Sequence, residues 1–217
     1  MNGTQTKNAL TLAKALEDRG ASLGLNASRE GVSISGTALA QDLPILIQTL
    51  ADVLQHPVFP NQQLELSRQR ALISLKATLD DPRQLGRRIF QQAIYPENHP
   101  FHTFPMAESL KGITREDLAL FHRQHYRPDT TVLAMVGDFN PDQVRSLLEQ
   151  SLGQWQSAGQ KSPLNFPTVA VPKATTYFSK TISGKAEAVT YLGFNGLSRK
   201  DPRYYAALVL NQVLGGD

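Results

Sequence analysis

The amino-acid sequence predicts an α+β fold in which an antiparallel sheet is backed by helices. In several long segments apolar residues recur every three or four positions, which is the spacing of an amphipathic helix. Segments 21–28 and 32–38 flank a short turn at 29–31, and the second segment alternates Val32 and Ile34 with serines. Alternation next to a short turn is typical of a β-hairpin, so we expect these two segments to pair in antiparallel fashion.

Helix boundaries follow from residues that start or end helices. Gly20 can take the left-handed conformation that ends the first helix, while Asp42 and Thr114 are expected to cap the helices that follow them. Pro57 and Pro60 end the second helix and start the third. The predicted helices span residues 4–19, 43–56, 61–79, 83–95, 115–126, 142–152 and 202–214.

Apolar stripes predict which helix faces are buried. The second helix carries such a stripe at Leu43, Leu46, Ile47, Leu50 and Leu54. The third helix carries one at Leu64, Ala71, Leu72, Leu75 and Leu79. Because an apolar stripe is stable only when another element covers it, we expect the successive helices to pack beside the hairpin.

The remaining apolar runs predict three further strands. Residues 131–136 are rich in β-branched side chains and are expected to form a central strand. Two more runs, 174–182 and 188–194, have the same character, and Asp201 is expected to cap the helix after them. Between these groups, residues 156–173 are rich in Pro, Ser and Gln, which is typical of a linker.

This order of elements divides the chain into a first domain, residues 1–155, the linker 156–173, and the beginning of a second, similar domain, residues 174–217. Two strands and one helix bury too little surface to be stable alone. We therefore expect the second domain to be incomplete in this chain.

Composition and charge argue against several classes of function. The 217 residues carry 22 Lys and Arg against 19 Asp and Glu, which gives a net charge of +3. The charged residues are scattered along the chain, and this argues against nucleic acid as a partner. A chain without cysteine cannot form a disulfide or a thiolate zinc site. The longest apolar run, 132–136, is too short for a membrane span. No leader segment precedes the first helix, which bears on targeting only if Met1 is the natural start, and periplasm and cytoplasm both stay possible.

Histidine spacing gives the main candidates for metal chemistry within the chain. His122 and His125 lie three positions apart on a predicted helix, a spacing that can direct both imidazoles toward one metal ion. His99 and His102 lie close together in a predicted loop. No carboxylate lies at a spacing that would complete a site with His122 and His125, so ordinary core-edge or surface histidines are the alternative. For His99 and His102 the alternative is packing or turn structure.

Seven short phrases of the sequence carry a family resemblance. They are Gly3-Thr4 with 16–21 (LEDRGA), 50–54 (LADVL) with 57–60 (PVFP), 80–82 (DDP), Tyr95 with 99–101 (HPF), Ile113-Thr114 to 126–128 (YRP), 136–139 (VGDF) and 211–216 (NQVLGG). In this order and spacing they resemble the insulinase/pitrilysin family of metallopeptidases, which includes the mitochondrial processing peptidases. The match covers essentially the whole chain.

The resemblance implies a processing-peptidase-like metallohydrolase fold, in which two similar α+β domains form a lobe and two lobes close around a peptide. It also implies zinc in the active members. Two His of an inverted His-x-x-Glu-His motif bind that zinc, the motif Glu activates water, and a later Glu is the third ligand. The motif would lie immediately before Gly3, so residues 1–155 would lack both the zinc motif and the opening strands of their domain.

The position of the third ligand departs from the family pattern. Aligned back from residues 80–82, it falls at Ser74, whose neutral hydroxyl is a poor ligand for a divalent cation. Arg70 on the same helix face would repel a metal. Ser74 and phrase 16–21 look more like the family's non-catalytic lobes and subunits. We therefore expect this chain to contain no catalytic residue and no metal ligand, and to bind no cofactor.

The resemblance also implies a place for peptide. Family peptidases commonly hold a peptide as an added strand on a sheet edge, through main-chain hydrogen bonds. By register that edge is residues 23–27, and the implied peptide-binding residues are Leu25, Asn26 and Ala27. An ordinary hairpin strand without such a role is the alternative.

Three functions are compatible with these features. The first is a non-catalytic lobe that helps an active metallopeptidase lobe or subunit to enclose a peptide substrate. The second is a fragment of an active zinc endopeptidase whose His-x-x-Glu-His motif precedes Met1. The third is a structural subunit kept for assembly, without a peptidase role.

Overall fold

A computed structural model describes residues 2–161 and 166–215 of the chain. Residue 1, residues 162–165 of the predicted linker, residue 216 of the last family phrase and residue 217 lie outside the described residues.

The described residues form eight α-helices and one two-stranded sheet. The helices are α1 (Ala9–Glu17), α2 (Leu43–Gln55), α3 (Asn61–Asp80), α4 (Pro82–Ile94), α5 (Ala107–Gly112), α6 (Arg115–His125), α7 (Pro141–Leu152) and α8 (Tyr204–Val213). Strands β1 (Ser22–Ala27) and β2 (Val32–Thr37) pair in antiparallel fashion, with Leu25 opposite Ile34. The α+β class and the hairpin are confirmed. Sequence reasoning missed α5, which is too short to show a helical period.

Contacts group the chain into two compact units. One is formed by residues 1–75 and 105–164, and the other by residues 76–104 and 165–217. The predicted domains 1–155 and 174–217, with the linker 156–173 between them, stay a prediction.

The core of the first unit lies between α1, the hairpin and α2. Leu12 is fully buried, and Leu16, Ala21 and Leu46 form one cluster against which Leu23 packs. The chain turns from α1 into β1 at Gly20, whose φ of +61° confirms the predicted left-handed ending. This turn places β1 beside the two helices and orients the strand that carries the predicted peptide site.

Of the three residues predicted to cap the start of a helix, one is confirmed and two are wrong. Thr114 and Asp117 form a reciprocal capping box at the start of α6, as predicted. The prediction for Asp42 is wrong, because its side chain makes no capping bond and instead pairs with Arg19 at 3.4 Å. The prediction for Asp201 is also wrong in detail. Its carboxylate accepts the Arg203 N–H at 2.9 Å in a turn, and the helix begins afterwards.

The predicted stripe on α2 is largely confirmed, whereas on α3 four of the five predicted residues, Leu64, Ala71, Leu72 and Leu75, are only partly buried. Leu46, Ile47 and Leu54 are buried, but none of the α3 residues is buried. Arg68 lies on the same face of α3 and is partly buried too. Its guanidinium reaches inward and donates to the carbonyls of Leu110, Lys111 and Ile113, which are left unpaired at the end of α5. A charged side chain therefore interrupts this helix face between Leu64 and Ala71 of the predicted stripe.

The three additional strands are not formed in the described residues. Segments 131–136, 174–182 and 188–194 have no regular secondary structure. Val132 is 93% exposed, although the sequence predicts a central strand there. A strand exists only as part of a ladder of hydrogen bonds to a neighbour, and among the described residues no neighbouring strand pairs with any of these segments.

In the second unit, segment 191–193 lies directly on α4. The Tyr191 hydroxyl donates to the Arg83 carbonyl at 3.0 Å. A Cβ on Gly193 would lie 2.7 Å from the Phe90 ring, so glycine permits this close approach. Two ion pairs, Lys185 with Asp80 at 2.8 Å and Arg83 with Glu187 at 3.1 Å, join the preceding residues 185–187 to the end of α3 and the start of α4.

The family phrase at 126–128 has a structural role at the end of α6. The buried Arg127 guanidinium pairs with Asp129 at 2.9 Å and donates to the carbonyls of Ala158 and Gly159. Hydrogen bonds from Arg127 and Ser157 lower the pKa of Asp129 to about 2. This cluster ties the first residues of the predicted linker to the first unit.

No helix in the described ranges combines the length and the apolar character that a bilayer span requires.

Candidate peptide-binding edge and metal-ligand position

Strand β1 leaves one edge without a neighbouring strand in the described residues. At the turn the Ser28 N–H donates to the Gly31 carbonyl at 2.8 Å, so residues 28 and 31 form a hydrogen-bonded pair. Hydrogen-bonded and non-hydrogen-bonded pairs alternate along an antiparallel ladder. With the observed register, Asn26 is bonded to Ser33, whereas Leu25 and Ala27 direct their N–H and C=O groups away from β2.

The beginning of β1 confirms this alternation. The Ala21 N–H points away from β2 and donates to the Leu16 carbonyl of α1 at 2.9 Å. The next outward positions are Leu23, Leu25 and Ala27. The described residues supply no hydrogen-bond partner for their N–H groups. An open row of outward backbone groups is the template on which an extended peptide can add as a strand.

The three predicted peptide-binding residues of β1 can therefore make two different kinds of contact. Leu25 and Ala27 can offer main-chain hydrogen bonds to a peptide. Asn26 has its main chain committed to β2 and can contribute only its exposed side chain. Whether peptide binds here stays a prediction.

Ser74 lies in the middle of α3, on its solvent-exposed side. The neighbouring Ile73 is 70% exposed, and Arg70, one turn earlier, is exposed too. Around Ser74 the donor set does not fit zinc. A neutral hydroxyl beside a guanidinium is a weak ligand for a divalent cation, and the described residues contain no group of three His, Cys, Asp or Glu side chains that could hold a metal ion. No hydrogen bond or ion pair links Ser74 to β1.

A polar cluster that sequence reasoning missed lies beside the family phrase Gly3-Thr4. The Asp52 carboxylate of α2 accepts the hydroxyls of Thr4 and Thr6, both at 2.7 Å, and lies 3.4 Å from the His56 ring. Burial opposes the ionisation of Asp52, but the hydrogen bonds from Thr6 and Thr4 and the charge of His56 outweigh it, so the pKa of Asp52 is lowered.

This cluster fixes the first described residues onto α2. The Gln5 N–H also donates to the His56 carbonyl at 2.9 Å, and Thr4 forms a bridge with Pro57. The available signal was Asp52, the one charged residue of α2. Its two threonine partners lie more than 40 positions away, and no local pattern connects them to it.

The His122 and His125 side chains do not converge. His122 Nε2 lies 2.9 Å from the Leu54 carbonyl oxygen, and its ring stacks on Tyr126. Burial lowers the pKa of His122, while the Leu54 carbonyl acts in the opposite direction. His125 instead packs against Phe121, with ring centroids 4.4 Å apart. Both rings are thus engaged in packing and hydrogen bonding.

The loop histidines in the second unit have similar roles. The buried His99 ring stacks on Tyr95, with centroids 4.5 Å apart, and its Nδ1 accepts the Phe101 N–H at 3.1 Å. The Nδ1 of His102 lies 2.7 Å from the Tyr95 carbonyl oxygen. These contacts explain the family phrase 99–101 as loop packing.

Two family models match the chain. The model described as insulinase (peptidase family M16) matches residues 1–101, and the model described as peptidase M16 inactive domain matches residues 112–217. Together they leave only a short segment unmatched.

The chain is also similar to longer proteins. An uncharacterized zinc protease of Streptomyces coelicolor is 25% identical over 227 residues, covering 99% of this chain and 48% of the relative. The probable mitochondrial-processing peptidase subunit beta of Schizosaccharomyces pombe is 23% identical over 221 residues, covering 98% and 47%. The chain thus spans about half the length of these curated relatives.

Among solved structures, the peptidase M16 inactive domain of Pseudomonas fluorescens superposes with a TM-score of 0.79 at 21% identity. The match covers 100% of this chain and 52% of that one. This similarity confirms the fold.

Proposed function

Because the chain belongs to the insulinase (M16) family of peptidases, we propose that it is part of a non-catalytic lobe of a zinc-peptidase assembly. In this role it helps an active partner lobe or subunit to enclose a peptide substrate. Zinc belongs to the active partner, and this chain contributes surface rather than a reacting group.

Ser74 is the observation that carries the proposal. Its position on the exposed side of α3 leaves ample room for a longer side chain, so a carboxylate ligand would have been sterically possible there. The chain instead has a hydroxyl, with Arg70 one turn away. A cation at this position would meet a weak ligand and an unfavourable charge.

The free edge of β1 supports the second half of the proposal. An added peptide strand needs outward N–H and C=O groups, and β1 offers them at Leu25 and Ala27. The side chain of Asn26 lies between these positions on the opposite side of the strand. In a lobe without zinc, such an edge holds peptide without cleaving it.

A second candidate function is an active zinc protease. The Streptomyces coelicolor relative is named as a zinc protease, and it is about twice as long as this chain. Under this hypothesis the zinc motif lies upstream in the full-length protein, and a residue other than Ser74 is the third ligand.

Reconstitution distinguishes the two candidates. The full-length protein is purified alone and together with its co-purifying partner, and hydrolysis of an unstructured peptide is measured for both. We expect hydrolysis only when an active peptidase partner is present. Chelator-sensitive hydrolysis by the protein alone would support the second candidate, and a partner that is a non-peptidase scaffold would contradict both.

A further inference from the structure

The two faces of the β1–β2 hairpin differ chemically along the outward edge of β1. On one side lie Leu23, Leu25 and Ala27, because alternate residues of a strand share a face. Leu23 is covered by the core cluster of the first unit. Leu25 remains 41% exposed, and Val32, which lies opposite Ala27 on β2, remains 42% exposed. We call Leu25, Ala27 and Val32 the tip patch.

The other side of the hairpin is small and polar. It consists of Ser22, Gly24 and Asn26 on β1 and Ser33, Ser35 and Thr37 on β2. Gly24 leaves its side open, since a Cβ there would have no neighbour nearer than the Ser35 hydroxyl at 3.6 Å. One face of the hairpin is therefore apolar and the other offers only hydroxyls, an amide and backbone.

Neither strand carries a charged side chain. Residues 21–28 and 31–41 contain no Asp, Glu, Lys or Arg, and the charges of the hairpin are confined to the turn at Arg29 and Glu30. A charged peptide side chain laid beside the strands would lose part of its hydration and meet no opposite charge on them. An apolar side chain beside the tip patch would instead bury exposed hydrocarbon.

From this arrangement we infer that β1 selects extended, uncharged peptide segments with an apolar side chain at every second position. The inference rests on the proposed role of β1 as a peptide-binding edge and names the class of peptide that this edge takes. The peptide residue paired with Leu25 points to the same side of the sheet as Leu25, and so do the residues two positions before and after it. These residues contact the tip patch, and those between them contact the Gly24 and Asn26 side.

The test uses the full chain and two blocked heptapeptides of the same composition. One alternates serine and valine, and the other has its three valines in a row. We expect the alternating peptide to bind about tenfold more tightly, because three cross-strand apolar contacts of modest strength add together. In amide exchange followed by NMR, this peptide should slow exchange at Leu23, Leu25 and Ala27.

Matched variants assign the preference to the tip patch. Leu25→Ser should reduce the difference between the two peptides to less than about twofold, since it removes the largest exposed apolar side chain of β1. Leu39→Ser, at a residue that is 62% exposed outside the sheet, is the control and should retain the preference.

Three other outcomes would each refute a different claim: the peptide preference, the assignment to β1 or the peptide-binding role. Equal affinity of the two peptides, with the same three amides protected, would refute the inference and leave the proposed peptide-binding role of β1 intact. Protection at Val32 and Ile34 instead would place the peptide on β2 and refute the assignment to β1. No protection with either peptide would refute the proposed role itself.

Discussion

Replacing Leu12 by alanine is expected to lower the free energy of unfolding by about 3 kcal/mol, because the truncation leaves a cavity that the surrounding helices cannot close. Leu12 is fully buried in α1. The loss can be followed by urea unfolding with the fluorescence of Trp155, the one tryptophan of the sequence, which belongs to the same unit.

Leu10→Ala is the matched control for this substitution. Leu10 is in the same helix, two positions earlier, and is 78% exposed. The same chemical change there should alter the free energy of unfolding by less than about 0.5 kcal/mol. Equal effects of the two variants would mean that the face of α1 that carries Leu12 is not buried.

Replacing Asp52 by alanine is expected to lower the free energy of unfolding by about 2 kcal/mol at neutral pH, since two hydroxyls lose a charged hydrogen-bond acceptor. Thr4 is itself buried, so its hydroxyl cannot be fully rehydrated. The His56 ring is half exposed, and we expect its ion pair with Asp52 to contribute little of this loss. Urea unfolding of the variant and the wild type measures the difference.

The loss of stability caused by Asp52→Ala should become smaller as the pH falls. Because the pKa of Asp52 is lower in the folded chain, its contribution is fully present above the unfolded value of about 3.9 and is lost as the pH falls through the folded pKa. The deficit of Asp52→Ala should therefore shrink below about pH 4. Asp138→Ala, at an exposed turn position, is the control. An equal pH dependence in both variants would contradict the role assigned to the cluster.

Local chemistry explains which parts of the fold could be predicted from the sequence. Gly20 ends α1 and Thr114 starts α6 through bonds that span only a few residues, so both signals are readable in the sequence. The hairpin has the same property, since its turn sets its register. The strand predicted at 131–136 failed because the β-branched pattern cannot reveal whether a neighbour is available for pairing.

At the candidate site, too, local features could be predicted from the sequence and interactions between distant residues could not. The sequence placed Ser74 at the expected ligand position, and the structure adds that this position is exposed and adjacent to Arg70. It could not identify the cluster of Thr4, Thr6 and Asp52, because the partners lie far apart in the chain. Nor could periodicity show that Asn26 has its main chain committed to β2 while its neighbours face outward, since this depends on the hydrogen-bonding pattern of the turn.

The zinc content of the full-length protein, purified without its partner, tests the central claim most directly. Because the family resemblance assigns the third-ligand position to Ser74, we predict far less than one zinc ion per chain after dialysis against metal-free buffer, and no increase when zinc is added back and excess is removed. One tightly bound zinc ion per chain, together with peptide hydrolysis that a chelator abolishes, would contradict the claim that this protein is a non-catalytic lobe.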